Sequence, residues 1–398
     1  MSNSNDKLKL QAIAFNGTEF FVCEKPMPEA SGRDLLVEIK AISINPIDSK
    51  VKHMVSGSAE KPLILGFDGC GIVKSIGEKV SLFKPGDEVY YAGDMSRDGS
   101  NANYQLMDER IVGHKPDSLS FAEAAAMPLT TVTAWESLFH RLRIGNEDTG
   151  KTILLIGAAG GVGSIAIQLA KQVGKLKVIA TASRSESKAW CEKMGDDVVL
   201  KHHNLSAQFA QKKLDAPDFI LCMGVPDDYL GEMIEIIAPQ GSICLLANAN
   251  KPFDLNLLKP KSIHLVWEMM FTRSKFETKD MGEQGKILNT LSGLIDDNKI
   301  CCPVTRQLNP INVANITEAH NTIEAGSMIG PRRRLGGAVV PRRGAGALRD
   351  QPGRAALPRD AVDLALRLFD LSRELSKCRT SAFSWAPSRS CCPTSTPA

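Results

Sequence analysis

The chain has 398 residues, of which 43% are hydrophobic and 23% are charged, and its formal net charge is +3. This composition is enough to build a buried core, and the length suggests two domains. The first residues are polar, and no apolar run approaches the roughly 18 residues that span a bilayer, so we expect a cytoplasmic protein without a membrane segment.

Ten cysteines are scattered along the chain, and none of them forms a Cys-x-x-Cys pair. A disulfide framework is not expected in a chain of this length that has no secretion signal. We therefore interpret the cysteines as buried or unreactive thiols.

The charge is distributed unevenly along the chain. Residues 1–330 carry a net charge of −5 and use mainly lysine, whereas residues 331–398 carry +8 and are rich in arginine and proline. A basic tail can bind nucleic acid, but this one lacks interleaved aromatic residues, so nucleic-acid binding is not favoured. We interpret residues 331–398 as a segment outside the functional fold, with helical periodicity only over 361–376.

Residues 8 to about 126 are typical of an all-β unit. Segments 8–15, 35–44 and 71–77 are rich in β-forming residues, and turn-forming clusters separate them. Lys84–Val89 predicts a tight turn that leads into a strand. Short strands at this spacing indicate a small barrel or sandwich.

The pattern changes near Ser120. Ser120 and Glu123 have the spacing of a capping box at the start of a helix. Met127-Pro128 interrupts the helical pattern, and a second helix is predicted from about Thr131 to Leu142.

Strands and helices then alternate. Strands are predicted at 152–156, 177–181, 197–200, 218–222 and 242–247, and helices are predicted at 162–173, 185–194 and 230–237. This alternation predicts a doubly wound parallel sheet, so the fold class is α/β.

The segment Gly157–Gly163 (GAAGGVG) follows the first of these strands and opens a helix. In that position a glycine turn brings backbone N–H groups and the helix dipole to the phosphates of a dinucleotide. The turn residues that we expect at the cofactor are Gly157, Ala159, Gly160, Gly161, Val162 and Gly163.

The end of the next strand indicates which dinucleotide is bound. An NAD site usually has an acidic residue there for the ribose 2′-hydroxyl, but this chain has Thr181-Ala182-Ser183-Arg184. Ser183, Arg184 and Lys188 could bind a 2′-phosphate through charge-assisted hydrogen bonds, although Arg184 and Lys188 could also be solvated surface residues. NADPH is therefore favoured.

A β-unit followed by a dinucleotide-binding unit resembles the medium-chain dehydrogenase/reductase superfamily, and within it the quinone oxidoreductase branch that includes zeta-crystallin. The chain also resembles proteins labelled zinc-type alcohol dehydrogenase-like. The resemblance implies a GroES-like β-barrel catalytic domain and a Rossmann domain. Five segments carry it in the right order: Ala41–Asp48, Leu65–Gly71, Lys84–Val89, Ala124–Thr130 and Gly157–Gly163.

The same resemblance shows where zinc ligands are missing. Zinc-dependent members have Cys at the position of Asn45 and Gly-His-Glu at the position of Gly66-Phe67-Asp68, and they carry a four-cysteine loop that has no counterpart between Val89 and His114. Catalytic zinc needs three protein ligands, so we expect no metal. Without a Lewis acid, reduction of an electrophilic quinone or enone is favoured over oxidation of an alcohol.

The resemblance also suggests residues around the cleft. Asn45 could bind the acceptor or the nicotinamide ribose, or it could stabilise its own Asn-Pro turn. Lys50 could stabilise an enolate or be a surface lysine. Thr131 and Thr133 lie on the helix that faces the nicotinamide in the family, and helix packing is their alternative role. Ala247 and Asn248 belong to a loop that touches the nicotinamide end.

We therefore predict an NADPH-dependent, zinc-independent reductase of quinones or of alkenals and enones, with a homodimer left open. Its predicted parts are a catalytic domain at 8–128, a Rossmann domain at 129–265, a return segment at 266–330 and the tail at 331–398. The alternative from another class is an NADPH-binding sensor or a nucleic-acid-associated protein with little turnover.

Overall fold

The structure is a computed structural model that describes residues 9–54, 62–325 and 338–341. Its strands are β1 (Lys9–Phe15), β2 (Phe20–Pro26), β3 (Asp34–Ile44), β4 (Leu63–Ile64), β5 (Asp68–Ile76), β6 (Glu88–Tyr91), β7 (Tyr104–Asp108), β8 (Val112–His114), β9 (Thr152–Ile156), β10 (Lys177–Thr181), β11 (Val198–Leu200), β12 (Phe219–Cys222), β13 (Ser242–Leu245), β14 (His264–Trp267) and β15 (Ala338–Pro341). Its α-helices are α1 (Pro46–Met54), α2 (Phe121–Ala125), α3 (Pro128–Trp135), α4 (Gly161–Gln172), α5 (Ser185–Met194), α6 (Leu205–Lys212), α7 (Leu230–Ile236), α8 (Thr272–Lys275), α9 (Glu283–Asp296) and α10 (Val313–Glu324).

The first eight strands form antiparallel sheets, in agreement with the β-rich character predicted for this half. One sheet has the order β2-β1-β4, and the other has the order β15-β3-β5-β6-β8, with β7 also paired to β3. The predicted strands at 8–15, 35–44 and 71–77 correspond to β1, β3 and β5. The turn at Lys84–Val89 leads into β6, and Gly86 adopts the positive φ of +97° that such a turn requires.

The second half contains a six-stranded parallel sheet of order β11-β10-β9-β12-β13-β14. This is the strand order of a doubly wound dinucleotide-binding fold, in which the order reverses between β9 and β12. Ile153–Ile156 of β9 are completely buried because helices cover both faces of the sheet. The predicted Rossmann architecture is confirmed.

Helices α2 and α3 join the two halves. Ser120 and Glu123 form the predicted capping box at the start of α2. The predicted start of the next helix at Thr131 is wrong, because α3 already begins at Pro128, where the missing N–H of proline costs no helical hydrogen bond. A π-helical turn, Glu136–Arg141, continues α3.

The largest cluster of buried apolar side chains combines residues of both halves around α3. Every residue of α3 from Pro128 to Ala134 is buried. A helix that is buried on all sides carries mainly small and apolar side chains, as the sequence PLTTVTAW does. This burial holds α3 rigidly beside the cleft described below.

The chain after β14 packs back on the antiparallel sheets. The Tyr90 hydroxyl donates a hydrogen bond of 2.6 Å to the carbonyl of Leu288 in α9. Strand β15 pairs with β3, with Ala338 opposite Ile44, and its first three residues belong to the LGGAVV segment of the arginine-rich tail. The predicted tail helix at 361–376 lies outside the described residues, and the predicted domain boundaries stay predictions. No helix among the described residues is long and apolar enough to cross a membrane.

Candidate active site

A cavity of about 340 Å³ opens at the carboxyl end of the parallel sheet. Segments from both halves of the chain line it: Asn45, Pro46, Ala126, Leu129, Thr130, Gly157, Ala159–Ser164, Trp190, Met223, Leu246, Pro303–Thr305 and Ile323. The cavity therefore brings Asn45 and the glycine turn together, although more than 100 positions separate them in the sequence.

The glycine turn has the geometry of a phosphate-binding loop. Gly157 has a φ of +83°, and its N–H donates a 3.0 Å hydrogen bond to the hydroxyl of Thr181 at the end of β10. A Cβ on Gly163 would lie 2.2 Å from the carbonyl oxygen of Ala158, so only glycine allows α4 to approach β9 this closely. Glycine at these two positions therefore allows the tight turn and the close packing of α4 on Ala158, which follows β9.

The start of α4 offers backbone donors to the cavity. Gly160 precedes the helix in an extended conformation, and the first helical hydrogen bond runs from the Ser164 N–H to the Gly160 carbonyl. The N–H groups of the first turn, 161–163, have no partner within the helix. Because the helix dipole is positive at this end, these donors fit the pyrophosphate of a dinucleotide.

Trp190 supports the turn from α5. Its indole N–H donates a 2.8 Å hydrogen bond to the Ser164 hydroxyl, which itself donates to the Gly160 carbonyl. Trp190 also lines the cavity. The sequence did not identify it, because an aromatic residue on a helix usually indicates core packing.

Asn45 lies at the other end of the cavity and is only 4% exposed. Its side-chain Nδ2 donates a 2.8 Å hydrogen bond to Oδ2 of Asp68 on β5. Oδ1 of Asp68 accepts the N–H of Leu129, again at 2.8 Å. Asp68 is completely buried, and burial raises the pKa of its carboxyl well above the ordinary range, although these two donors oppose the rise.

A second buried carboxyl lies close by. Oδ2 of Asp48 accepts the backbone N–H of Asn45 at 2.6 Å, and the Asp48 N–H donates to the Asn45 carbonyl at 3.0 Å. Burial raises the pKa of Asp48 to about 7, partly opposed by backbone N–H groups. The turn at Asn45 is thus stabilised by Asp48, and the Asn45 side chain is directed to Asp68 instead.

The other predicted residue of the first half, Lys50, is exposed on α1 and does not line the cavity. Thr133 is buried on α3, and its hydroxyl donates to the Leu129 carbonyl at 2.7 Å. Thr130, one helical turn earlier, contacts the cavity in its place. The roles predicted for Lys50 and Thr133 remain predictions.

The residues predicted to bind a 2′-phosphate surround the end of β10. Ser183, Arg184 and Lys188 are all exposed, and Lys188 lies 3.9 Å from the Glu192 carboxylate. His202, which follows the neighbouring strand β11, contacts the Thr181 hydroxyl at 2.9 Å. Burial, His203 and Arg184 lower the pKa of His202, so its ring is neutral near pH 7.

The loop after β13 reaches the cavity through Leu246, the residue just before the predicted pair. Ala247 is half-buried and Asn248 is exposed. Sequence reasoning also missed Met223, Ile323 and the segment 303–305. No local motif marks these residues, since they reach the cavity only through the tertiary fold.

Comparison with known proteins identifies the family. The family model of the alcohol dehydrogenase GroES-like domain matches residues 31–137, and the model of the zinc-binding dehydrogenase matches residues 161–282. A zinc-type alcohol dehydrogenase-like protein of Staphylococcus aureus, strain MSSA476, is 43% identical over 318 residues, which are 79% of this chain and 94% of that protein. The chain belongs to the medium-chain dehydrogenase/reductase superfamily. The predicted membership of this superfamily is confirmed.

Two further similar proteins are informative. A solved structure from Rhizobium etli CFN 42, whose name refers to zinc-dependent alcohol dehydrogenases, is 42% identical and has a TM-score of 0.78; the match covers 85% of this chain and 99% of that one. The 2-methylene-furan-3-one reductase of Solanum lycopersicum is 29% identical over 76% of this chain and 72% of its own length.

The zinc to which two of these names refer does not fit the described residues. Catalytic zinc is held by three protein ligands drawn from His, Cys, Asp and Glu. Here Asn45 and Phe67 occupy two of the ligand positions, and both oxygens of Asp68 already accept N–H groups. Across 9–54, 62–325 and 338–341, no three such ligands lie close enough to hold a metal.

Proposed function

We propose that this member of the superfamily is an NADPH-dependent reductase that transfers hydride to a quinone or an α,β-unsaturated carbonyl without zinc. One observation carries the proposal. A single cavity joins a dinucleotide-binding turn to Asn45, and Asn45 is hydrogen-bonded to Asp68 where zinc-dependent members carry metal ligands.

The described residues fit a dinucleotide at one end of this cavity. The backbone N–H groups of 161–163 would bind the pyrophosphate, and the missing side chain of Gly160 leaves room for a close approach to the backbone. When bound, the nicotinamide supplies the hydride. The protein holds the cofactor and the acceptor in position. Leu129 and Thr130 of the buried helix α3 line one side of the cavity.

The preference for NADPH over NADH is supported by the end of β10. No acidic residue stands at 181–184, so nothing repels a 2′-phosphate there. Ser183, Arg184 and Lys188 are exposed and offer a hydroxyl and two cations. An arginine beside a phosphate forms strong charge-assisted hydrogen bonds.

The side chains that line the cavity away from the glycine turn support an electrophilic acceptor as the substrate. Outside the glycine turn the cavity walls are mostly apolar, with Leu129, Leu246 and Val304 among them, and Asn45, Thr130 and Thr305 add polar side chains. Such a pocket suits a flat conjugated carbonyl compound, which accepts hydride at carbon without a Lewis acid. The Solanum lycopersicum relative is named for the reduction of such a compound. Lys50 does not line the cavity, so the proposed mechanism assigns it no role.

The test combines a metal determination with an acceptor panel. The purified chain is assayed for bound zinc, and oxidation of NADPH is then followed with a simple quinone, with an enone, with an aldehyde and without an acceptor. We expect no stoichiometric zinc, activity that survives a chelator, and turnover of the quinone or the enone. Tight NADPH binding without turnover of any acceptor would contradict the reductase and favour a sensor. Activity that is lost with the chelator and restored by zinc would contradict the metal-free mechanism.

A further inference from the structure

Gln168 is a polar residue on the buried face of the dinucleotide-binding helix α4. It is only 5% exposed, and its neighbours in the chain, Ile167 and Leu169, are completely buried. Burial of an amide is costly unless its oxygen and its NH₂ group are both hydrogen-bonded. The partners of this side chain therefore explain why an amide, and not another apolar residue, occupies the position.

The side chain of Gln168 binds the main chain of Cys301, a residue 133 positions away. Its Oε1 accepts the Cys301 N–H at 2.7 Å, and its Nε2 donates to the Cys301 carbonyl at 3.2 Å. Nε2 also donates to the Ser164 carbonyl of the same helix at 3.1 Å. Because a reversed amide would place its oxygen against two carbonyls, this network fixes the orientation of the amide.

Cys301 begins a segment without regular secondary structure. Within the part of the chain that the structure describes, residues 301–304 form no hydrogen bond from main chain to main chain. Pro303 has a fixed φ, and it restricts Cys302 to extended conformations. The position of the Cys301 main chain therefore determines where the following residues, 303–305, lie along the cavity.

The Gln168 amide thus joins two walls of the cavity. Ser164, whose carbonyl accepts from this amide, lines the cavity beside the glycine turn, and its hydroxyl donates to the Gly160 carbonyl. Segment 303–305 lines the cavity from the part of the chain that follows α9. Gln168 does not line the cavity itself, so any influence on a ligand is transmitted through these two walls.

We propose that Gln168 is a positioning residue that holds segment 303–305 at a fixed distance from the dinucleotide-binding helix, and so limits the size of the acceptor that the cavity admits. The inference rests on the proposed function and adds a determinant of its substrate specificity. Loss of the contact between Gln168 and Cys301 would allow the wall at 303–305 to move. The chain would then discriminate less between small and large acceptors.

Hydrogen exchange tests the contact itself without a substrate. The exchange of the Cys301 amide is measured by NMR in the native chain and in Gln168→Met, whose side chain has a similar length but lacks the amide. Because its N–H is bonded to a buried oxygen, Cys301 should exchange about tenfold more slowly in the native chain than in Q168M. Equal exchange rates would overturn the contact.

The role in specificity is tested with one small and one larger acceptor of the class that the native chain reduces. The measured quantity is kcat/KM for the small acceptor divided by kcat/KM for the larger one, because a loss of folded protein cancels in this ratio. We expect Q168M to lower the ratio about three- to tenfold, which is the range of one neutral hydrogen bond. The Kd of NADPH should stay within about twofold, since the N–H groups of 161–163 are unchanged.

Gln168→Glu makes the test reversible, because it replaces only the NH₂ group with oxygen. When protonated, the new carboxyl can accept the Cys301 N–H and donate its O–H to the Cys301 carbonyl. When ionised, it turns a second oxygen toward the carbonyls of Cys301 and Ser164. Burial raises the pKa of a carboxyl, so the ratio for Q168E should lie near the native value at about pH 5.5 and fall toward that of Q168M at about pH 8.5. A side chain that only fills space would give a ratio that does not change with pH.

Gln172 provides the matched control, since it lies one turn further along α4 and is exposed. Q172M and Q172E should change the exchange of the Cys301 amide and the ratio of kcat/KM by less than about twofold. The same loss of discrimination in Q172M as in Q168M would overturn the proposal. So would an unchanged ratio in Q168M, or a Kd of NADPH that weakens as much as the ratio falls, which would place the effect at the dinucleotide end.

The native chain is assayed first. If it reduces no acceptor, the proposed function is overturned together with the role of Gln168 in specificity, and the exchange measurement still decides whether the contact exists. Native turnover with an unaffected Q168M would overturn only the role of Gln168. If Q168M does not fold, Q168E carries the test, and a ratio for Q168E that is independent of pH overturns the inference.

Discussion

The two ends of the cavity are built in different ways. The dinucleotide end is built from the continuous segment β9 to α5, and its glycine turn offers backbone N–H groups whose direction is set by secondary structure. The other end combines side chains from α1, β5, α3, segment 303–305 and α10, and two buried carboxyls organise it. A backbone site is determined by local glycines and strand geometry, whereas a side-chain site depends on the tertiary packing of the whole chain.

The largest effect is expected where the backbone end depends on a missing side chain. Gly163→Ala places a Cβ 2.2 Å from the Ala158 carbonyl oxygen, so α4 must move away from β9. We expect a loss of about 1–3 kcal/mol in the free energy of unfolding and a weakening of NADPH binding by more than about tenfold. Gly231→Ala, on α7 with nothing within 4 Å of the new Cβ, should be neutral or stabilising in the same urea titrations. Equal effects of the two substitutions would contradict the backbone origin of this end.

The next prediction concerns the buried carboxyls of the other end. Folded Asp48 retains its proton to about pH 7, whereas an unfolded aspartate loses it near pH 4. Between these values folding takes up a proton, so this group lowers the free energy of unfolding by up to about 1.4 kcal/mol for each unit that the pH rises. Asp48→Asn removes this term. Between about pH 5 and pH 7, the free energy of unfolding of this variant should therefore fall by about 2–3 kcal/mol less than that of the native chain. Parallel pH dependences in urea unfolding would show that Asp48 titrates normally.

A smaller effect is expected from an exposed side chain at the dinucleotide end. Arg184→Ala should weaken NADPH binding about tenfold and leave NADH binding within about twofold, because only NADPH carries the phosphate. Lys177→Ala is the matched control, since Lys177 is an exposed cation at the opposite end of β10. Equal affinity of the native chain for both cofactors would refute the phosphate assignment.

The smallest effect is expected at Lys50, which lies near Asn45 in the sequence but does not line the cavity. Lys50→Ala should change kcat/KM for a quinone or an enone less than about twofold, because Lys50 is exposed outside the cavity. A loss of about tenfold or more would restore Lys50 to the role in enolate stabilisation that the sequence suggests.

The same contrast explains what could be predicted from the sequence. Strand β10, helix α5 and the glycine turn follow from local patterns, and their predicted bounds agree with the structure or differ by one residue. At the other end, the sequence predicts Asn45 with three roles left open, and its bond to Asp68 could not be foreseen because it depends on the pairing of distant segments. Residues 303–305 and Ile323 carry no motif, and only the return of the chain brings them to the cavity.

Among the described tryptophans, Trp190 is the one that lines the cavity, and its indole N–H is hydrogen-bonded to the residue that follows the glycine turn. The fluorescence of a tryptophan in this position can report the binding of the cofactor. Its emission overlaps the absorption of reduced nicotinamide, so cofactor arrival should quench it by energy transfer. Stopped-flow fluorescence of the unlabelled chain can therefore measure the association and dissociation rates of the dinucleotide.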